Sequence, residues 1–440
     1  MAEVRSAQST YLLIPILLLS ILLGIAVIRG PAIVTLEGLG SAITVAAPLC
    51  LATYALMSVA IAGRGTVDLA VGPLLAFINV IIVSLNELDL VTSPLGVFVL
   101  ALAIGIAYQV LFALVIIIVR VQPIIVALSG FLALSGINRV IMQRPGGTAP
   151  EWMSTWGSGS TIFSPILLLL VLATGGWLLF TLSPFYKHLR MMGYDERAAF
   201  TSGVRGNLVR VGAHVISGIF VALAAICYTA LIASGDPTQG TTISLTAVTA
   251  VVLGGISLAG GRGNVLGALL GAINLFLIGY VLATFNFGSV QAFVTQMSYG
   301  LILIASLLLT LLVPVVGRHI SFITPFSAFV ILGVVVVAIM LTVGITMPEG
   351  ALPVATTNYD LLPAAWTTDV VDFVLTPLQK VILVALAIFT LGTIMMRVVV
   401  VEASARRFGV FGHALVAGML VLGLAVVALY SLPSSGGLLK

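Results

Sequence analysis

Apolar runs recur along the whole chain, and they limit what it can fold into more than any other feature. A helix that crosses the hydrocarbon core of a bilayer needs about 20 mostly apolar residues. Of the 440 residues, 60% are hydrophobic and only 7% are charged. Because a water-soluble globule of this length needs far more charged surface to cover its core, the sequence predicts an all-α polytopic membrane protein.

Thirteen such runs can be delimited, and each is a predicted membrane span. They lie at 11–29, 41–63, 66–86, 95–119, 123–142, 162–184, 210–233, 243–260, 264–285, 293–316, 323–346, 376–397 and 411–431. The runs at 66–86 and 243–260 are short and contain glycine, so they can be partial or re-entrant helices. We expect about ten core helices, including broken segments, within a transmembrane domain at 1–318. About three more helices are expected in a C-terminal extension at 319–440.

Basic residues indicate the orientation of these runs. If Met1 is cytoplasmic and every run crosses, thirteen of the 18 Lys and Arg residues lie at cytoplasmic ends. This asymmetry satisfies the positive-inside rule. The loop 186–210 is then the longest cytoplasmic connection, and the acidic loop 347–375 lies outside. No basic run is dense enough to indicate a nucleic-acid partner.

The stretch 251–272 reads VVLGGISLAGGRGNVLGALLGA, an apolar segment interrupted by glycine. A membrane helix must satisfy its own backbone hydrogen bonds, so such breaks are tolerated only where protein or a polar cavity surrounds them. We interpret this segment as part of the wall of a solute pathway. The residues assigned to it are Gly254, Gly255, Gly260, Gly261 and Gly263. The four-residue spacing of Gly263, Gly267 and Gly271 also fits ordinary close helix packing, which does not account for the two glycine pairs.

A second broken segment, GRGTVDLAVGPLLAF at 63–77, resembles the segment at 254–268 in kind. Corresponding interrupted segments in two halves of a transporter point to a central substrate site. Within the first segment we assign Asp68 and Gly72 to this pathway or its gate. Asp68 is expected to accept hydrogen bonds from backbone amides at the start of the helix, or to contact Arg64 or Arg262; a gating role is the alternative.

Two asparagines, Asn79 and Asn274, follow the two broken segments. Both are candidates for contact with a polar solute in the pathway. The competing interpretation is that each amide bridges two helices, which is the more common role of such residues in a membrane.

The cytoplasmic loop YKHLRMMGYDERAAFTSGVRGNLVR contains a predicted short helix at 196–202. Asp195 can cap its start, and Gly203 can end it in a left-handed conformation. A helix this short does not persist alone in water. Its apolar residues are therefore expected to dock into a groove of a cytoplasmic partner. The residues assigned to this coupling role are Asp195, Glu196, Arg197, Ala198 and Gly203. A charged connecting loop held at lipid head groups is the alternative.

No enzyme motif accompanies these segments. The run at 261–267 has neither the GxGxxG spacing nor the GK[ST] of a phosphate-binding loop, and the sequence contains no HExxH or GxSxG. The four histidines and two cysteines show no metal-ligand spacing. We expect a transport subunit that is not an enzyme, with no metal or cofactor in this chain and its energy supplied by another chain.

Four sequence blocks together resemble the permease subunits of bacterial ABC importers for monosaccharides, of the ribose, galactose and xylose type. The blocks are TVDLAVG at 66–72, QPIIVALSGFLALSGI at 122–137, GYDERAAFTSG at 193–203 and TAVTAVVLGGISLAGGRGNVLGALLGA at 246–272. The resemblance runs from about Leu39 to Val316 in matching order. The block at 193–203 resembles the coupling helix of that family.

This resemblance implies a multi-pass protein of the bacterial inner membrane that works with three kinds of partner. They are a cytoplasmic ATP-binding subunit, which would hold ATP and Mg, a periplasmic solute-binding protein, and a second permease copy or paralogue. The sequence departs from the family at Arg64, an additional cation, and at Arg197, where alanine is more usual. Residues 319–440 lie outside the resemblance.

Other transport functions stay open on the sequence. The cargo can be a nucleoside, a polyol or a branched-chain amino acid, and broken helices serve equally well in a secondary transporter driven by an ion gradient.

Overall fold

The computed structural model describes residues 12–63, 66–158, 162–285, 287, 290, 293–302 and 304. The predicted spans at 323–346, 376–397 and 411–431 lie outside the described residues, as do Arg64 and most of the run at 293–316. The expected extension at 319–440 is likewise outside them.

Twelve α-helices are present between residues 12 and 285. They are α1 (Leu13–Arg29), α2 (Leu36–Ala62), α3 (Val71–Glu87), α4 (Pro94–Leu114), α5 (Pro123–Ile141), α6 (Glu151–Gly157), α7 (Pro165–Thr181), α8 (Pro184–Tyr194), α9 (Glu196–Thr201), α10 (Gly206–Ile232), α11 (Gly240–Leu253) and α12 (Val265–Ala283). A π-helical turn, Val115–Val119, extends α4. Among the described residues, β-type pairing is confined to one bridge between Gly146 and Gly235. The prediction of an all-α fold is confirmed, and each of the nine predicted spans before residue 286 contains a helix.

Helix length separates two kinds of membrane segment in the described part of the chain. Five helices, α2, α4, α5, α10 and α12, are long and apolar enough to cross a bilayer, and α7 with α8 makes a sixth if that bent pair is one span. Helices α3 and α11 have 17 and 14 residues, fewer than the ~20 of a full crossing. The runs at 66–86 and 243–260 thus contain short helices, as does the run at 11–29; a partial or re-entrant course of the first two stays a prediction.

The interior of the described bundle is built around α2, α3 and α10. The most apolar window of α2 is 89% buried within the protein, whereas that of α5 is only 17% buried. Small residues allow the close approach that stabilises helix pairs in lipid: Gly105 of α4 faces Gly218 of α10, where a Cβ atom on either would crowd the other backbone. The outer faces of α4, α5 and α7 expose leucine, isoleucine and valine, as expected for a surface in lipid.

Helix α8 occupies a stretch in which the sequence predicts a loop. The Ser183 hydroxyl accepts a hydrogen bond from the Tyr186 amide and caps the helix, and Pro184 fits its first turn. The axis bends by 75° between α7 and α8. Tyr186, Leu189 and Met192 are buried, so an apolar stripe holds this otherwise polar helix against the bundle.

Candidate functional site

Helix α9 has the capped, short form that the sequence predicts. The Asp195 Oδ1 atom accepts hydrogen bonds from the amides of Arg197 at 2.8 Å and Ala198 at 3.1 Å. Gly203 has a φ of 84°, and no atom lies within 4 Å of where its Cβ would be. Backbone conformation, and not crowding, is therefore what favours glycine after this helix.

The apolar residues of α9 point in different directions. Ala199 is buried against the rest of the protein, whereas 77% of the Phe200 surface is exposed. Glu196 forms an ion pair with Arg210 of α10, with 3.1 Å between Oε1 and Nη2. The helix is thus attached to the bundle through Ala199 and Glu196, and it presents Phe200 outward.

Four glycines bring the segment before α9 against both broken membrane segments. We call Gly63, Gly193, Gly260 and Gly261 the glycine junction. A Cβ atom on Gly193 would overlap the Ile61 carbonyl oxygen and the Gly261 backbone nitrogen, and one on Gly260 would overlap the Cα atom of Gly63. The three backbones therefore touch without any side chain between them.

Hydrogen bonds and cations hold this junction together. The Gly261 amide donates to the Ile61 carbonyl at 3.0 Å, and the Arg190 Nε donates to the Gly261 carbonyl at 3.4 Å. The guanidinium groups of Arg190 and Arg262 lie 6.0 and 5.9 Å from the centre of the Tyr194 ring, at the limit of a cation–π contact. Helix α8 is therefore tied to the break between α11 and α12.

Asp68 lies fully buried in the break between α2 and α3. Its hydrogen-bond partners are one polar side chain and one backbone amide. Its Oδ1 atom accepts a hydrogen bond from the Ala70 amide at 2.9 Å, which confirms the expected bond to the start of α3. Its Oδ2 atom accepts one from the Gln109 amide at 2.5 Å. The suggested contact with Arg262 is absent, since that guanidinium lies against Tyr194.

Gly72 and Asn79 bind α3 to α11, to the end of α10 and to the segment between α10 and α11. Ser244 of α11 accepts a hydrogen bond from the Gly72 amide at 3.0 Å and donates one to the Leu69 carbonyl at 2.7 Å. The Asn79 amide donates to Thr229 and to the Ser234 carbonyl, each at 2.9 Å. The two short helices consequently begin side by side.

The remaining predicted pathway residues lie at helix contacts. Gly254 packs against Gly267 so closely that a Cβ on either would overlap the other carbonyl oxygen. Close packing therefore accounts for Gly254 as well as for the later glycines. The Asn274 amide donates to the Pro15 carbonyl at 2.8 Å and so joins α12 to α1.

The predicted pathway residues thus form several separate contacts between helices and helix breaks. Gly260 and Gly261 belong to the glycine junction, with Gly255 and Gly263 in the same break between α11 and α12. Their role in a solute pathway stays a prediction. Sequence reasoning did not single out Gly193 or His214; the place of Gly193 in the block at 193–203 was the available signal.

Comparison with known proteins identifies one matching family and several relatives. The family described as the branched-chain amino acid transport system / permease component matches residues 38–312. The ribose import permease protein RbsC of Escherichia coli is 30% identical over 216 residues, 48% of this chain and 67% of that protein. Its namesake from Haemophilus influenzae is 28% identical over 250 residues, 55% of this chain and 76% of the relative.

A further relative is the xylose transport system permease protein XylH of Escherichia coli. It is 36% identical over 109 residues, which are 25% of this chain and 28% of that protein. No solved structure matches the chain.

Proposed function

The chain belongs to the branched-chain amino acid transport system permease family, and on that premise we propose that it is the transmembrane subunit of an ATP-binding cassette importer for a monosaccharide. It is a multi-pass protein of the inner membrane. The ribose and xylose permeases among its relatives favour a sugar over the amino acid in the family's description. Nucleoside, polyol and amino acid cargoes remain the alternatives.

The glycine junction is the observation that best supports this proposal. An importer powered from the cytoplasm needs a mechanical connection between its motor and its membrane segments. In this chain Gly193, near the end of α8, touches the break at Gly63 and the break at Gly260–Gly261, and α9 begins three residues later. A force applied to α9 therefore acts on both broken segments.

We assign three partners to this subunit. A cytoplasmic ATP-binding subunit, carrying ATP and Mg, docks on α9, where the exposed ring of Phe200 offers an apolar contact. A periplasmic solute-binding protein delivers the sugar, and a second permease copy or a paralogue completes the transmembrane unit.

Site-specific crosslinking tests the docking of the ATPase. Both native cysteines are buried. The new cysteine of the variant Phe200→Cys can therefore be labelled selectively in inverted membrane vesicles. The matched control is Phe163→Cys, since Phe163 is 92% exposed and lies on the predicted outer side. We expect Phe200→Cys to crosslink to the ATP-binding subunit and Phe163→Cys not to. Labelling of Phe200→Cys from the periplasmic side would overturn the assignment.

Reconstituted uptake tests the reaction itself. Proteoliposomes containing the permease, the ATPase and the binding protein should accumulate radiolabelled ribose or xylose only when ATP is enclosed with the ATPase. Uptake that survives without ATP and collapses with a proton or sodium gradient would instead identify a secondary transporter.

A further inference from the structure

Three buried polar side chains connect three separate elements inside the membrane bundle. Asp68 lies in the break before α3, Gln109 on α4 and His214 on α10, and each is at most 1% exposed. Burying a polar group this deeply costs free energy unless the group forms hydrogen bonds. A network of such groups, bonded to one another, therefore favours one arrangement of the backbone.

The hydrogen bonds of this network have a defined direction. Gln109 donates through Nε2 to the Asp68 carboxylate at 2.5 Å, and its Oε1 lies 2.7 Å from His214 Nδ1. Since an amide oxygen can only accept, His214 must carry its proton on Nδ1. Gln109 is thus the middle member, with one hydrogen bond to each neighbour.

One end of the network meets the backbone at the start of α3, where Ser244 also accepts a hydrogen bond from the Gly72 amide. Ala70 is the residue before α3 and cannot cap the helix itself. The Asp68 Oδ1 atom accepts a hydrogen bond from its amide at 2.9 Å. The position of the carboxylate therefore fixes how the chain turns into α3.

The other end of the network leads to α9. Arg210 lies one helical turn before His214 on α10, and residues four apart share a helix face. Arg210 is 8% exposed and pairs with Glu196 of α9 at 3.1 Å. Hydrogen bonds or an ion pair thus join Glu196 to Arg210, His214 to Gln109 and Gln109 to Asp68, and the step from Arg210 to His214 is one turn of α10.

We propose that Gln109 is a positioning residue for transport: it links the shift of α10 produced at Glu196 to the turn that starts α3. This inference rests on the proposed function and names a second connection, distinct from the glycine junction, between the coupling helix and a broken segment. Static bonding between helices is the alternative, and it predicts a loss of stability without a change in coupling.

The test exchanges the two functional groups of the pair. Asp68→Asn leaves two amides facing each other, and Gln109→Glu leaves two carboxylates facing each other. The double variant Asp68→Asn/Gln109→Glu restores one amide donor, one carboxylate acceptor and an acceptor for His214. Gln109→Met removes both hydrogen bonds with little change in side-chain length.

Sugar uptake and ATP hydrolysis are measured together in the reconstituted full complex, with ribose as the probe. We expect each single variant to lower the sugar transported per ATP about tenfold, and the double variant to recover most of it. The control is Thr174→Val, which removes the partly buried Tyr54–Thr174 hydrogen bond at 3.0 Å. It should leave the ratio unchanged.

The outcomes separate this inference from the proposed function. Absence of ATP-dependent uptake by the unmodified complex would defeat both. If the unmodified complex transports, no recovery in the double variant, or equal loss of uptake and hydrolysis in the single variants, overturns the role of Gln109 alone. Should the single variants fail to accumulate in the membrane, recovery of coupled transport by the double variant supports the pairing, and its failure counts against it.

Discussion

At the scale of the residue, the missing side chain at Gly193 is what lets three segments of backbone meet. In Gly193→Ala the new methyl group would overlap backbone atoms of Ile61 and Gly261. These cannot rotate away as a side chain can, and we expect a loss of about 1–3 kcal/mol, with a lower Tm of the purified protein. Gly206→Ala is the matched control, because the nearest atom is the Met192 sulfur at 3.8 Å. Equal shifts in the two variants would remove the junction as the cause.

A second residue-scale prediction concerns the ion pair of the coupling helix. Glu196→Ala removes the carboxylate that pairs with Arg210 at 3.1 Å. Since Glu196 is 35% exposed, we expect a modest effect on stability but a fall of about tenfold in sugar moved per ATP, the size of a typical coupling energy. Glu37→Ala, at an exposed residue of α2, should change neither. Normal coupling in Glu196→Ala would contradict the role of α9.

At the scale of the element, the end of α9 depends on one backbone conformation. With φ at 84°, Gly203→Asn should be close to neutral, since asparagine tolerates the left-handed region, and Gly203→Ala should cost about 1–2 kcal/mol locally. Gly203→Pro cannot adopt this φ and loses the N–H that bonds to the Phe200 carbonyl at 3.0 Å. Hydrogen exchange of the α9 amides should rise in the order Asn, Ala, Pro, and ATPase binding should fall in that order. A proline variant with unchanged protection would refute this account.

The elements also show which structure the sequence could predict. Helix α9 was predictable because Asp195 and Gly203 are local signals for its two ends. Helix α8 was missed because Lys187, His188 and Arg190 resemble a loop, and only the burial of its apolar stripe in the tertiary structure reveals the helix. Local chemistry specifies helix ends, whereas packing decides marginal helices.

The same limit applies to the candidate site. The bond from Ala70 to Asp68 was predictable, since it joins residues two apart at a helix start. The bond from Gln109 was not, since 41 residues separate the partners and several polar side chains occur in the predicted spans. The contact between Gly193 and Gly261 likewise joins distant segments, so the glycine pairs could be recognised as breaks but not assigned their neighbours.

At the scale of the whole molecule, composition predicted the fold class because it is a property of the entire chain. The matched family region ends at residue 312, before the expected extension. We therefore predict that a chain truncated after Arg318 keeps ATP-dependent uptake within about a factor of ten, that is, a loss below about 1.4 kcal/mol in coupling. Uptake and co-purification of the ATPase are the measurements. Loss of assembly would make residues 319–440 a docking element.

The glycine junction has a consequence for how far movement can travel through the protein. At the glycine junction itself no side chain lies between Gly193 and the two broken segments, since backbone atoms meet directly there. A displacement of one backbone at this contact is therefore passed directly to the others. How far the broken segments move then depends on the lengths of α8 and α9, which together act as a lever. A tilt of these helices that is too small to change any side-chain rotamer still reaches both broken segments.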